Sequence, residues 1–443
     1  MDSQPVSKFD KLLSPINKFF LYLLIIYLPL QELFLHFLES YTRLSVAKIF
    51  WISHFYEPLI VLMIFLYLVK FAIERRLPKW PKFDVSLLVF LFLAVLMVAI
   101  RHNDLSRGLE GLRFLALPFI IYILARLSDY QNPKRLTRIY LFIAFLFAAI
   151  GVVEFFLLPA GYMARFLGLS NFGFGQNSLI STPQATALLA GPNQLASYLI
   201  LAFFYLMHRF FTSKKPILRE ESSYFLILVA LALGLTFSRS ALLGIIVGVV
   251  WMFIYFGRSA RDRIIYSILF IVVVLTAAVS LALQNGELPR DILTHGTSFS
   301  QHLLATKESF LQFIHGGAVK ILFGFGVGSA GPTALKLGGI ITENWYLQIL
   351  FEVGVVGFIY LSIFLAGIIK SLYNDSKTLF FAIVALLINA LFLHIFSDNP
   401  VMAVSIFIIC GAVMNIETEN PKSLPRRQAG KIQMSNEAQS PNA

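Results

Sequence analysis

With a single cysteine, Cys410, in 443 residues, the chain has no disulfide framework. That cysteine sits in an apolar run and reads as packing. Charge is also scarce, with Asp, Glu, Lys and Arg making up 14% of the chain, and so small a share is not the composition of a disordered protein. Apolar residues take up the space, at 58% by a count that omits glycine. Soluble domains reach only about 45–50% with glycine included, so a soluble enzyme is excluded. A dozen transmembrane helices of about 20 residues each would absorb most of these apolar residues.

The net charge of +12 would fit nucleic acid if the basic residues clustered for it, but their position along the chain assigns them another task. Twelve apolar spans are expected, at 19–37, 53–73, 84–100, 111–126, 139–158, 186–208, 224–237, 241–256, 264–283, 346–369, 378–396 and 401–414. With the N-terminus inside, the inner segments hold 25 of the 36 Lys and Arg, among them Arg75, Arg76, Lys134, Arg135, Arg261 and Arg263, and the outer segments hold 11. That asymmetry satisfies the positive-inside rule and predicts two cytoplasmic termini. Nucleic acid drops out as a partner, and membrane lipids take its place. The first span, with no small-residue cleavage site after it, reads as a signal anchor. Residues 1–18 are then a cytoplasmic N-terminus, 19–283 hold spans one to nine, 284–345 form an outer loop, 346–414 hold the last three spans, and 415–443 form a polar, disordered cytoplasmic tail.

Function is expected on the outer side, where the loops at 159–185 and 284–345 are long. In the second, Ser298 to Ile314 carries apolar residues at helical spacing and stops at Gly316-Gly317, predicting an amphipathic helix resting on the bilayer or the bundle. Gly326-Val-Gly328-Ser-Ala-Gly331 matches GxGxxG by letter but lacks the βαβ setting of a dinucleotide site, so it reads as a tight outer loop. His295, His302 and His315 fit no zinc spacing, and no metal is expected. No solenoid repeat or similarity between halves is evident.

The apolar stretch Tyr224–Phe256 is interrupted only by Ser238-Arg239-Ser240, and as one helix it would run about 50 Å, well beyond a bilayer's roughly 30 Å. It should fold into two helices with Arg239 at the outer turn. An arginine at that depth is either functional or an anchor that snorkels to lipid phosphate, and the same alternatives apply to Arg107 and Arg113. Guanidinium forks suit a pyrophosphate. In Thr342-Glu343-Asn344-Trp345-Tyr346, a Thr342 N-cap would place Glu343 in the first turn of span ten, aimed at the outer cavity as a general base or simply capping in water. The Trp-Tyr pair is equally an interfacial belt, and His302 is either a second base or a solvated histidine.

In this order the segments resemble the superfamily of O-antigen ligases and O-antigen polymerases. Arg239 with Leu243 reads R-x3-L, and Glu343-Asn344, nine residues, then Gly354-Val-Val-Gly357 is similar to the ligase signature H-N-x9-G-x-x-G. Gly191-Pro-Asn193-Gln194-Leu-Ala-Ser197, Thr236-Phe-Ser238-Arg239-Ser-Ala, and His302 ahead of the Gly324 to Gly331 loop add to the likeness. The resemblance implies an all-helical GT-C-like glycosyltransferase without metal, cofactor or nucleotide sugar. Such enzymes move a glycan from an undecaprenyl-diphosphate carrier to an acceptor sugar, on a glycolipid such as lipopolysaccharide core or on a growing polysaccharide, at the outer face of the bacterial inner membrane. Arg239 falls on the family's pyrophosphate-holding arginine. Arg107, Arg113, Asn193, Gln194, Ser238 and Asn344 are expected as accompanying substrate contacts. Glu343 stands where the signature has histidine, so the base is Glu343 or His302, and the choice between ligase and polymerase stays open. A transporter or lipid-linked-sugar flippase is the rival from another class, and a membrane scaffold without chemistry is a third. Against the transporter stands the clustering of charges at outer span ends, which favours outer-face chemistry over alternating access, and the scaffold would leave Ser238-Arg239-Ser240 unexplained.

Overall fold

The structure, a computed structural model, describes residues 8–42, 45, 48–49, 52, 54–74, 80–101, 105–128, 133–159, 162–167, 184–213, 215–256, 296–331, 334, 339–397 and 400–419. Among these residues the chain is all-helical, and β pairing is limited to an isolated bridge between Ala330 and Ile340. The helices are α1 (Lys8–Tyr27), α2 (Gln31–Tyr41), α3 (Tyr56–Glu74), α4 (Lys82–Arg101), α5 (Leu105–Leu127), α6 (Pro133–Leu157), α7 (Tyr162–Phe166) and α8 (Pro192–Thr212). They continue with α9 (Pro216–Leu235), α10 (Arg239–Phe256), α11 (Gly296–Ile314), α12 (Ala318–Phe323), α13 (Trp345–Asp375), α14 (Lys377–Asn389) and α15 (Pro400–Glu419).

Seven helical segments among the described residues are long and apolar enough to cross a membrane: Leu12–Tyr41, Tyr56–Glu74, Lys82–Ile100, Leu105–Leu127, Pro133–Leu157, Pro192–Thr212 and Trp345–Asp375. Shorter apolar helices at Arg239–Tyr255, Lys377–Asn389 and Met402–Met414 pack among them. This is the architecture of a multi-pass membrane protein. The span expected at 264–283, the stretch 284–295 and the tail beyond Glu419 lie outside the described residues.

Two groups of helices make the core. α5 packs on α15 and α4, and α4 on α13; α8 packs on α9 and α14, and α10 on α14. Close approach is possible where side chains are small. Gly244 of α10 sits against the Ala385 carbonyl of α14, and Gly411 of α15 against the Tyr122 carbonyl of α5. At the end of the bundle where α4 starts and α5 finishes, buried Arg126 pairs with buried Asp84, whose other oxygen accepts from the Tyr122 hydroxyl at 2.8 Å. Hydrogen bonding on both carboxylate oxygens is what makes such a pair tolerable among apolar helices.

Several expected boundaries shift, and two of them shape the site. The span expected at 378–396 stops as a helix at Asn389, and residues 390–397 turn back into the bundle. No breaker in Ala390-Leu-Phe-Leu-His-Ile-Phe announces this. Instead α13 takes over the carbonyls at the end of α14: the Trp345 backbone N–H donates to Ala390 at 3.1 Å and the Asn344 amide to Leu391 at 2.8 Å. The tenth span is also longer than expected, and Gly354, at φ +73°, breaks it internally. The Tyr224–Phe256 stretch divides into two helices as expected, with the break at residues 236–238.

Candidate functional site

A cavity of about 590 Å³ opens at the end of the bundle where α8, α10 and α13 begin. Arg239 and Ser240, the first residues of α10, line it beside Pro192 and Asn193 of α8. Gln184 lies on the segment before α8, Thr236 and Phe237 at the α9–α10 break, and Glu343 just before α13. Thr306 of α11 forms part of its wall, and Leu391, Phe392 and Leu393 of the turn after α14, with Leu243, form an apolar side. The volume falls within the roughly 300–1,000 Å³ of ligand pockets. Three helix N-termini meet here, so their positive dipole ends add to the charge of Arg239 and favour an anion.

The loops around the cavity carry unusual backbone. Among the described residues the non-glycine positions with positive φ are Ala187 at 52°, Phe237 at 55° and Glu343 at 53°. Phe237 and Glu343 are wall residues, and Ala187 follows Gln184 in the segment before α8. Left-handed backbone costs an L-residue on the order of 1–2 kcal/mol, and it persists only where the surroundings enforce it.

Buried carboxylates supply part of that enforcement. Glu154 of α6 accepts from the backbone N–H groups of Thr186 and Ala187 at 2.7 and 2.8 Å and from the Thr186 hydroxyl at 2.8 Å, which ties the segment before α8 to the bundle. Glu352 of α13 accepts from the Gly328 N–H at 3.1 Å and from the Gln348 amide at 3.4 Å. The Gln348 carbonyl accepts from Ser397 at 2.6 Å and meets His394 Nδ1 at 2.9 Å, so the glycine loop and the 390–397 turn share one buried network. The sequence reading did not use these two acids. Their signal was an acidic residue inside an apolar run, as in Ile150-Gly-Val-Val-Glu154-Phe and Leu350-Phe-Glu352-Val.

The expected site residues divide between the cavity and its scaffold. Arg239, Glu343 and Asn193 line the cavity together. Ser238 is buried beside Thr236, whose hydroxyl accepts from its backbone N–H at 3.3 Å, and it is not a lining residue. The Gln194 amide folds back over Gly191. Asn344 is the N-cap of α13: its side-chain oxygen accepts from Leu347 N–H at 3.0 Å and its amide donates to Leu391, so it holds backbone. The cap expected at Thr342 is therefore at Asn344, which leaves Glu343 ahead of the helix rather than in its first turn. Asparagine wins because its short side chain reaches the third N–H while its own backbone stays extended.

Two arginines expected at the cavity face other partners. The Arg107 Nε donates to the Gly328 carbonyl at 3.0 Å, so Gly328 is held at its carbonyl by Arg107 and at its N–H by Glu352. Arg113 pairs with Glu57 of α3 and packs over the Phe114 ring at 5.3 Å. His302 belongs to α11, one turn before Thr306, and its side chain lies outside the described residues. Trp345, read as an interfacial belt residue, is buried against Phe396 at a ring separation of 4.7 Å. The GxGxxG stretch is a loop with positive φ at Gly324, Gly326, Gly328 and Gly331, packed onto α5 at Gly111. No cluster of three or more His, Cys, Asp or Glu able to hold a metal occurs among the described residues. Compared with known proteins, the chain matches no family model and no curated protein.

Proposed function

We propose that the chain is a GT-C-like glycosyltransferase of the O-antigen ligase or polymerase type, with twelve spans and both termini in the cytoplasm. It moves a glycan from an undecaprenyl-diphosphate carrier to an acceptor sugar at the outer face of the bacterial inner membrane. The observation that carries this reading is that Arg239 and Glu343, more than 100 residues apart in sequence, line one cavity at the convergence of three helix N-termini. The mixed lining suits an amphiphilic donor. Gln184, Asn193, Ser240 and Thr306 offer amides and hydroxyls to sugar hydroxyls, and Leu391, Phe392 and Leu393 offer an apolar side to the carrier.

The chemistry follows from these groups. The acceptor oxygen forms a bond to the anomeric carbon while the bond from that carbon to the diphosphate oxygen breaks, and the electron pair leaves with the diphosphate. Arg239 and the helix dipoles oppose the charge that grows on the leaving group, which is where preplaced positive groups lower a barrier most. Glu343 takes the hydroxyl proton as the oxygen attacks.

Replacing the arginine tests the reading. Arg239→Lys keeps the charge but loses the fork, and transfer from a lipid-diphosphate donor by the purified protein should fall by about 10²-fold or more while the protein still inserts. Transfer near the wild-type rate would reduce Arg239 to a lipid-phosphate anchor and remove the support for this function.

A further inference from the structure

The helix α11 has three faces rather than two. Ala305, Thr306, Ser309 and Phe313 turn toward the bundle, with Ser309 and Phe313 buried and hydroxyls of Thr306 and Ser309 donating to the Thr342 and Ile341 carbonyls at 3.2 and 3.3 Å. On the far side Leu304, Phe310, Leu311 and Ile314 are exposed, Leu304 by 55% and Phe310 by 50%, with Lys307 among them. Between these two faces runs an exposed polar strip of Glu308, Gln312 and His315. A helix seated on a protein with water beyond it would be apolar on one face only, so a second apolar face with its own lysine requires a second apolar neighbour.

The position of the next helix indicates what that neighbour is. α13 has 31 residues and runs about 46 Å, longer than the roughly 30 Å hydrocarbon layer. Gly354 breaks it, and residues 355–375 by themselves run about 32 Å, enough to cross. α12 meets α13 at this break: a Cβ on Gly354 would lie 2.4 Å from the Leu322 carbonyl oxygen and 2.5 Å from the Gly324 nitrogen. Val319, Leu322 and Phe323 of α12 are exposed beside this break, next to the start of the segment long enough to cross, and Lys320 folds over the Phe325 ring at 4.9 Å. Exposed apolar side chains with adjoining lysines at such a place are what an interfacial helix presents to lipid.

We infer that α11 and α12 form a membrane-interface anchor, whose outer apolar face lies in the boundary between headgroups and acyl chains while its inner face walls the cavity. The neighbour is the bilayer itself. The cavity then opens beside the membrane surface, with Thr306 on one side of a helix whose other side is in lipid. This inference is independent of the transfer chemistry, since an anchored helix could serve any reaction at that cavity.

Depth measurement on the full-length protein in phosphatidylcholine–phosphatidylglycerol vesicles tests it. Fluorescent labels are placed at Phe310→Cys and Leu322→Cys, with Glu308→Cys on the polar strip as reference; native Cys410 is buried and does not compete. Lipids carrying a nitroxide high on the acyl chain should quench the first two labels at least about twofold more than the reference, and aqueous iodide should show the reverse order. Iodide quenching of the first two equal to that of the reference would overturn the anchor. Shielding from both quenchers that fades as protein is diluted in lipid would also overturn it, in favour of a second copy of the chain. The two labelled positions are on different helices, so a folding defect in one variant leaves the other decisive.

Discussion

Glu343 combines a left-handed backbone with a place on the cavity wall, and stability and chemistry pull this residue in opposite directions. Glycine accepts φ near +53° without the side-chain clash, so Glu343→Gly should unfold at the same temperature as the wild type or higher. If the carboxylate is the base, the same variant should lose transfer, and a stable, active variant would show that the strain has no catalytic purpose. Glu343→Gln against His302→Ala separates the two bases. Loss of transfer in the first with donor binding retained, and activity in the second, assigns the proton to Glu343. The opposite pattern moves it to α11. Glu343→His should keep part of the rate that Glu343→Gln loses, because an imidazole can take the same proton. The sequence drew attention to Arg239 and Glu343, which line one cavity, because charges are rare in an apolar chain and so easy to see. It left the direction of Arg107 and Arg113 open because a guanidinium reaches several neighbours equally well, and packing turns them to the Gly328 carbonyl and to Glu57.

At the scale of elements, helix breaks set the geometry of the site. Gly354 occupies the first glycine of the G-x-x-G pair, and its φ of +73° brings the Leu322 carbonyl against its α carbon. Any side chain there meets backbone, which cannot rotate away. Gly354→Ala should therefore lower stability by on the order of 3 kcal/mol, visible in thermal unfolding in detergent, and loosen the contact between α12 and α13. The pair Asp84–Arg126 pins α4 to α5 at the other end of the bundle. Asp84→Ala leaves a buried guanidinium without its counter-charge and should cost about 3–5 kcal/mol, whereas replacing both partners with apolar residues should cost much less. Comparing the melting temperatures of the single and double variants checks this. The amphipathic helix in the long loop was legible from apolar spacing, as was the break between α9 and α10 from chain length against bilayer thickness. The end of α14 was not, because its carbonyls are met by residues of α13 and no local breaker marks the position.

For the whole molecule, two exposed residues report the orientation in the membrane. In the orientation proposed, cysteine at Glu308 of α11 should react with a membrane-impermeant maleimide in intact cells, and cysteine at Lys215, between α8 and α9, should react only after the membrane is opened. Reaction at Lys215 in intact cells would invert the orientation and move the cavity to the cytoplasm, where an outer-face donor cannot reach it.

Membrane residence and an all-helical class were determined by the sequence alone, because bilayer thickness and the absence of water impose composition and length on any chain that crosses. Composition also marked the rare charges worth following. Which of those charges meet was decided only in three dimensions. Arg239 arrives at the cavity on the first turn of α10, Glu343 on a strained residue before α13, and Asn193 on the first turn of α8, held there by breaks and caps whose partners are distant in sequence. Hydrophobic periodicity reports which face of a helix is buried, not which neighbour buries it, and a left-handed residue that is not glycine leaves no mark in composition or spacing.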